Sequence, residues 1–323
     1  MIKKKLKIGI LFGGKSAEHD VSIMSAQNII DALDKDKYQI FPIKIEKDGD
    51  FNLDVTKKMD LIFPALHGPY GEDGSMQGLL KILGVPFVGA GVLGSALGMD
   101  KDVMKRLFKE AGISIGKYLV LNAEEKISFE KVKKTLNLPI FIKPANMGSS
   151  VGIEKVKNEE EFKKALKNAF QYDSKIIIEE NINGQEIECS VLGNRNPIAS
   201  IPGEVVPKKD FYSYEAKYID ENGAELLIPA RLSKNIIKKV QDIAIKVFQT
   251  LSCEGMGRVD FFVKKSGEVI VNEINTIPGF TSISMYPKLW EASGMSLAKL
   301  LDKLIELAIE RFERESKLKT IVK

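Results

Sequence analysis

The chain has 323 residues, with 48 Lys or Arg against 44 Asp or Glu and a formal net charge of +4. That length suits two or three domains, each large enough to bury its own core, and charges spread along the whole chain exclude the basic tail or block of a nucleic-acid binder. No apolar run approaches the roughly eighteen residues of a membrane span, and Cys189 and Cys253 lack the CxxC spacing of zinc or redox chemistry, so both are expected to be buried apolar residues.

The start "MIKKKLKIGILFGG" is basic but its apolar run is interrupted, so it reads as a first strand, and a cytoplasmic protein is expected. Leu6 to Phe12, a Gly-Gly turn, a helical pattern from about Glu18 to Leu33 and "YQIFPIKI" form a βαβ unit, which "DLIFPAL" continues as another buried strand. An open α/β domain over residues 1–95 follows from this. Helix Asp100 to Gly112, strand "KYLVL", helix "SFEKVKKTL", strand "LPIFIKPA", helix Glu159 to Gln171 and strand "KIIIEE" make a small α+β domain over 96–185. From residue 186 to 323 the pattern turns to long β segments, a polar loop, a helix near Asn235 to Leu251, two strands within 257–275 and a helix from about Ser296 to Arg314.

Two glycine-rich stretches imitate nucleotide motifs. "GILFGGKS", Gly9 to Ser16, satisfies the letters of a P-loop, yet Ile10, Leu11 and Phe12 continue an apolar strand where that motif needs loop N–H groups facing phosphate. "GAGVLG", Gly89 to Gly94, satisfies a dinucleotide fingerprint but lacks the acid about 20 residues on, so Gly89 and Gly91 read as turn residues.

The chemistry gathers elsewhere. In "VNEIN" side chains alternate, so Glu273 and Asn275 project together while Ile274 faces the core. In "GRVDF" Arg258 and Asp260 have the same spacing, and antiparallel pairing would set Asp260 beside Glu273. Two carboxylates and an amide oxygen suit Mg²⁺, although a hairpin with a polar, solvent-facing side has the same pattern. "IFIKPANMGSSVGI" places Lys143 at a strand end before a Gly-Ser loop whose backbone and Ser149 and Ser150 hydroxyls could approach phosphate; a flexible hairpin has the same composition. Glu179, Glu180 and Glu186 could accept from an adenine amino group and ribose hydroxyls. Lys101 in "GMDK" offers another cation. His67 in "ALHG" suits a site residue or a structural His bonded to a loop carbonyl.

These pieces, in this order, resemble the ATP-grasp superfamily and within it the D-alanine–D-alanine ligases. The motifs that carry the resemblance are "GGKSAEHDVS" (13–22), "ALHGPYGEDGSMQG" (65–78), "GMDK" (98–101), "KPANMGSSVG" (143–152), "FYSYEAKY" (211–218), "GRVDF" (257–261) and "NEINTIPGFTSIS" (272–284), which span nearly the whole chain. The resemblance implies a three-domain ATP-grasp architecture of α/β and α+β parts, with an N-terminal open α/β domain preceding the grasp. It implies that ATP phosphorylates a first D-alanine and that the amine of a second attacks the acyl phosphate. Glu18 would then hold the first ammonium with His67 close by, and Ser284 and Met285 the second carboxylate. Arg258 and the Gly279 N–H would stabilise the oxyanion, an effect whose loss costs roughly 2.7 to 4 kcal/mol per donor.

By the same resemblance Lys101, Lys143 and Lys217 would neutralise phosphates. Ser150, Glu179, Glu180, Ile182, Glu186 and Asn272 would surround the nucleotide. Asp260, Glu273 and Asn275 would hold two Mg²⁺ ions, with Mn²⁺ able to substitute. The polar segment 207–225 would be a lid excluding water, in which Tyr218 links with Ser149 and Glu18 and "EAKY" favours D-alanine over D-lactate as acceptor. Ser213 stands in that loop where the family pattern suggests Asp. D-lactate or D-serine as second substrate is the nearest rival, and a nucleotide-binding regulator without turnover is the rival from another class. The expected partners are small molecules, with neither nucleic acid nor membrane, and a homodimer is expected.

Overall fold

A computed structural model describes residues 5–149, 151–208 and 223–319. The first sheet holds β1 (Leu6–Gly13), β2 (Tyr38–Ile45) and β3 (Leu61–Pro64), all parallel in the order β2-β1-β3, with α1 (His19–Ala32) crossing from β1 to β2. Ile8, Ile10 and Leu11 are fully buried because both faces of β1 are covered. Ile8 and Ile10 pack with Ile29 of α1, whereas Leu11 packs on the opposite side with Met76 and Leu80. The segment Gly9 to Gly13 is thus a core strand and not a phosphate loop. Lys15 instead lies over Gly49, with its ammonium 6.0 Å from the Tyr70 ring centroid.

Four further helices complete the first third of the chain, α2 (Leu53–Thr56), α3 (Ser75–Ile82), α4 (Val92–Met99) and α5 (Lys101–Glu110). The sequence pattern did not separate α3 and α4, which contain Gly78, Gly94 and Gly98, residues that weaken helix propensity. Packing explains Gly94, since a Cβ there would stand 3.1 Å from the Ser252 carbonyl oxygen. The Asp100 side chain caps α5 by accepting from the Asp102 and Val103 N–H groups.

The second sheet is antiparallel, with strands β4 (Tyr118–Asn122), β5 (Ile140–Pro144), β6 (Glu154–Val156) and β7 (Lys175–Glu180) in the order β4-β7-β5-β6. Helices α6 (Phe129–Leu136) and α7 (Glu159–Ala169) bury Val132, Leu136, Phe162 and Ala165 against its Ile140, Ile142, Ile176 and Ile178. Both start as the sequence suggests, capped by Ser128 and Asn158.

The third sheet is antiparallel and larger. It contains β8 (Gln185–Gly193), β9 (Ile198–Ala199), β10 (Gly203–Pro207), β11 (Ala224–Leu227), β12 (Gly255–Val263) and β13 (Val269–Asn275), ordered β11-β10-β8-β12-β13 with β9 on β8. One face is packed by α8 (Lys234–Thr250), through Val240, Ala244, Val247 and Phe248. Two C-terminal helices follow, α9 (Met285–Ala292) and α10 (Leu297–Ser316), and α10 returns Leu300, Leu304 and Ala308 to the core of the first sheet.

The register of β12 and β13 decides the site. Arg258 pairs with Asn275 and Asp260 with Glu273, the adjacency that the alternation predicts. The register then shifts so that Phe261 faces Val271, which leaves Asn272 as the extra residue of a β-bulge. Both cysteines are buried, and burial pushes each thiol up to about 12. No helix among the described residues is long and apolar enough to cross a membrane.

Candidate active site

Two cavities meet at Glu273, one of about 330 Å³ and one of about 200 Å³. Asn272 lines the smaller cavity, Asn275 the larger and Glu273 both, beside the point where the bulge breaks the ladder.

The smaller cavity lies between the second and third sheets. Lys143, Glu179, Glu180, Ile182, Glu186 and Asn272 all line it, as does Lys105 of α5, a residue not singled out from the sequence. Lys143 and Lys105 each hold one oxygen of Glu179, Lys143 on Oε2 and Lys105 on Oε1 at 2.7 Å. Burial opposes ionisation of Glu179, but the two ammonium groups outweigh it and hold the carboxyl at about 2. The two lysines respond oppositely. For Lys143, burial is outweighed by Glu179 and Glu273 and the pKa rises, whereas for Lys105 burial wins and the pKa falls. Glu179 is therefore the centre of an ion cluster before it can be an acceptor for a base, while Glu180 accepts from the Lys117 N–H at 2.7 Å.

The larger cavity is lined by strands of the third sheet and by loop and helix-end residues of the other two thirds of the chain, among them Glu18, Lys101 and Ser149. Glu18 stands at the N-terminus of α1, and its carboxylate accepts from the Ser149 hydroxyl across a sequence separation of 131 residues. Gly68 allows this approach, having φ 71° and a position where a Cβ would lie 2.8 Å from the Glu18 carboxylate. Lys101 donates to the Met147 carbonyl at 2.6 Å and stands 3.7 Å from Glu273. Its burial, opposed by Glu273 and reinforced by the Lys143 charge, lowers its pKa.

Arg258 forks onto Asp260 with two bonds of 2.8 Å and approaches Glu188 at 2.9 Å. Gly279, Ser284 and Met285 line the opposite wall. A Cβ on Gly279 would stand 2.8 Å from Ser284 Oγ, the hydroxyl that accepts from the Thr281 N–H at 3.0 Å.

His67 lines neither cavity but is buried beneath the larger one. Its Nδ1 is 3.6 Å from Glu72, which does face the cavity, and its Nε2 is 3.2 Å from Ser25 Oγ. Ser25 in turn accepts from the Phe280 N–H, so His67 joins Glu72 to the loop that carries Gly279. Burial alone would lower the His67 pKa, but the Glu72 hydrogen bond and the Glu18 and Glu72 charges outweigh it and raise it. Burial and the Glu18 charge raise Glu72 despite His67. Ser150, Lys217, Tyr218, Ser213 and most of segment 207–225 lie outside the described residues.

The family profile for the D-ala D-ala ligase C-terminus matches residues 107–306, and that for the D-ala D-ala ligase N-terminus matches residues 7–57 and 52–90. The chain belongs to the D-alanine–D-alanine ligase family. A D-alanine–D-alanine ligase of Oceanobacillus iheyensis is 50% identical over 360 residues, 98% of each chain. The D-alanine–D-alanine ligase structure from Coxiella burnetii superposes with a TM-score of 0.88 at 39% identity, covering 98% of this chain and 97% of that one. VanG, a D-Ala:D-Ser ligase from Enterococcus faecalis, superposes with a TM-score of 0.86 at 36% identity, over 94% of this chain and 100% of that one.

The donor set on β12 and β13 is hard and oxygen-rich. Among the described residues no three His, Cys, Asp or Glu side chains form a metal cluster, so a further oxygen donor on these strands would have to be an amide. That amide oxygen, Asn275 Oδ1, is buried without a hydrogen-bond partner among the described residues. An orphaned hard oxygen two residues from the Glu273 carboxylate fits Mg²⁺ or Mn²⁺, whereas Asp260 lines neither cavity and has both oxygens held by the Arg258 guanidinium. Sequence reasoning missed Lys105, Glu72 and Glu188. A signal existed for two of them, since Lys105 is four residues after Lys101 on one helix face and Glu188 two after Glu186 on one strand face.

Proposed function

We propose that this chain joins two D-alanines into D-alanyl-D-alanine for peptidoglycan precursors, at the expense of ATP, with the nucleotide in the smaller cavity and the amino acids in the larger. The observation that carries this reading is the single carboxylate, Glu273, shared by both cavities, because a phosphoryl group leaving one must meet an acceptor held in the other. The γ-phosphoryl group passes to a carboxylate oxygen of the first D-alanine and ADP leaves. The amine nitrogen of the second then bonds to that carbonyl carbon, releasing phosphate and a proton.

In this reading Glu18, supported by Ser149, holds the first ammonium, and His67 with Glu72 fixes the floor beneath it. Ser284 and Met285 orient the second substrate, while the Arg258 guanidinium and the Gly279 N–H stabilise the oxyanion. Lys101 meets the phosphates from the larger cavity and Lys143 from the smaller, while Ser150 and Lys217, expected to assist, lie outside the described residues. Ile182 packs on the base, Glu180 and Glu186 accept from its sugar and amino groups, and Glu179 keeps Lys143 in place. Asp260, Glu273 and Asn275 would hold two Mg²⁺ or Mn²⁺ ions, whose charge would offset that of the β and γ phosphates, and Asn272 adjoins the nucleotide. The protein would be a cytoplasmic homodimer with domains at 1–95, 96–185 and 186–323, and the roles expected of Tyr218 and the 207–225 lid fall mostly outside the described residues.

The test is phosphate release from ATP and Mg²⁺ with D-alanine, with L-alanine as control. Release with D-alanine alone is expected; equal release with L-alanine overturns the stereochemical assignment, and none with either overturns the reaction. The likeness to VanG supports D-serine as a second reading, with D-lactate its depsipeptide counterpart. Competition between D-alanine and either acceptor from neutral to alkaline pH decides among them. An amine must lose its proton before attack, so dipeptide should dominate as pH rises. Preferential ester or D-alanyl-D-serine formation throughout would refute D-alanine as acceptor.

A further inference from the structure

Lys105 has the surroundings of a working part and is absent from the roles assigned above. It is 2% exposed, the deepest of the three lysines around Glu179 and Glu273, and it touches three elements at once. It stands on α5, its ammonium is 2.7 Å from Glu179 Oε1 on β7, and it donates to the Asn272 carbonyl of β13 at 3.3 Å. Asn272 is the extra residue of the bulge, so the ordinary β12–β13 ladder does not fix it. The next residue is Glu273, the wall common to both cavities.

We infer that Lys105 is a positioning residue for nucleotide binding, a strut that sets the charge of the smaller cavity and the angle of the bulge that aims Glu273. The inference rests on the smaller cavity being the nucleotide site. Two buried lysines share one carboxylate, so the cluster carries one net positive charge, which an anionic polyphosphate can use. Without Lys105 the cluster is neutral, and Lys143 has Glu179 to itself. Its ammonium is then drawn onto both carboxylate oxygens and away from any phosphate. Without Lys105 the Asn272 carbonyl also loses its donor, and the bulge keeps one restraint fewer.

The geometry makes this effect selective. Lys105 lines the smaller cavity and not the larger, so its loss should weaken ATP and leave D-alanine nearly untouched. A lysine that merely stabilised the fold would affect both substrates alike, or neither.

The experiment uses the full chain with Lys105→Met, which keeps the length and removes the charge, and Lys105→Gln, which keeps a donor for the Asn272 carbonyl. KM is measured for ATP and for D-alanine, the Kd of ATP by calorimetry without D-alanine, and the melting midpoint alongside. Lys105→Met should raise KM and Kd for ATP by about tenfold while KM for D-alanine stays within about twofold, and Lys105→Gln should fall between it and the parent. The inference is overturned by an unchanged ATP affinity in either folded variant, by an equal rise for both substrates, or by failure of both variants to fold. Lys143→Met separates the two levels of the argument. If it leaves ATP affinity intact, the cavity assignment fails; if it abolishes binding while Lys105→Met does not weaken it, only the strut fails.

Discussion

Glu179 and Glu273 stand on strands of different sheets, each carboxylate beside lysine, and their surroundings differ in kind. Glu179 is 8% exposed and each oxygen has its own ammonium, whereas the Lys101 ammonium stands 3.7 Å from Glu273 and the neighbouring Asn275 oxygen is buried without a partner among the described residues. The first arrangement is electrostatically complete in the protein alone. The second sets a hard amide oxygen two residues from Glu273 on the wall that both cavities share. A buried charge must be paired, and Glu179 shows how tightly: each of its oxygens has a lysine of its own.

The largest effect on stability belongs to Glu179. Glu179→Gln leaves Lys105 and Lys143 buried without their carboxylate and should lower unfolding free energy by about 3 to 5 kcal/mol, read by chemical denaturation. The same contact has a pH signature. Because the folded pKa is depressed from 4.5 to about 2, its stabilisation is present above pH 4.5 and disappears as pH falls through about 2. Acid titration of stability should show that loss in the parent and a smaller one in Glu179→Gln. A variant as stable as the parent would break the comparison at its first half.

Glu273→Gln tests the other half. Turnover should fall by about a hundredfold or more, as for removal of a group that stabilises developing charge, while unfolding free energy changes by less than about 1 kcal/mol. Undiminished turnover would refute the cation role.

Gly279→Ala sharpens the picture on the substrate side. The new Cβ would force aside the Ser284 hydroxyl and its bond from Thr281, so KM for the acceptor D-alanine should rise about fivefold, the worth of one hydrogen bond. The smallest effect is expected at Lys15, an exposed side chain against Gly49 and Tyr70. Lys15→Ala should leave KM for ATP within about twofold, and a loss of ATP binding would restore the P-loop reading of "GILFGGKS".

Local pattern made much of the fold legible. The parallel start, the buried run of β1, the capped helices α6 and α7, and the pairing of Asp260 with Glu273 all follow from periodicity and alternation. Helices α3, α4 and α9 were not drawn from the pattern, because glycine or short length hides their period and contacts remote in sequence hold them. The bulge at Asn272 was equally hidden, since nothing in "VIVNEIN" marks where one residue will be left unpaired.

The sequence by itself determined which side chains bear charge, the α/β and α+β character of the fold, and the oxygen-rich face of β12 and β13. Tertiary structure alone decided that Ser149 reaches Glu18, that Lys105 shares Glu179 with Lys143, and that Glu273 belongs to two cavities at once. The physical reason is range. Periodicity and capping act over a few residues along the chain, whereas a buried charge selects its partner by distance in space, and the folded packing of three sheets sets that distance.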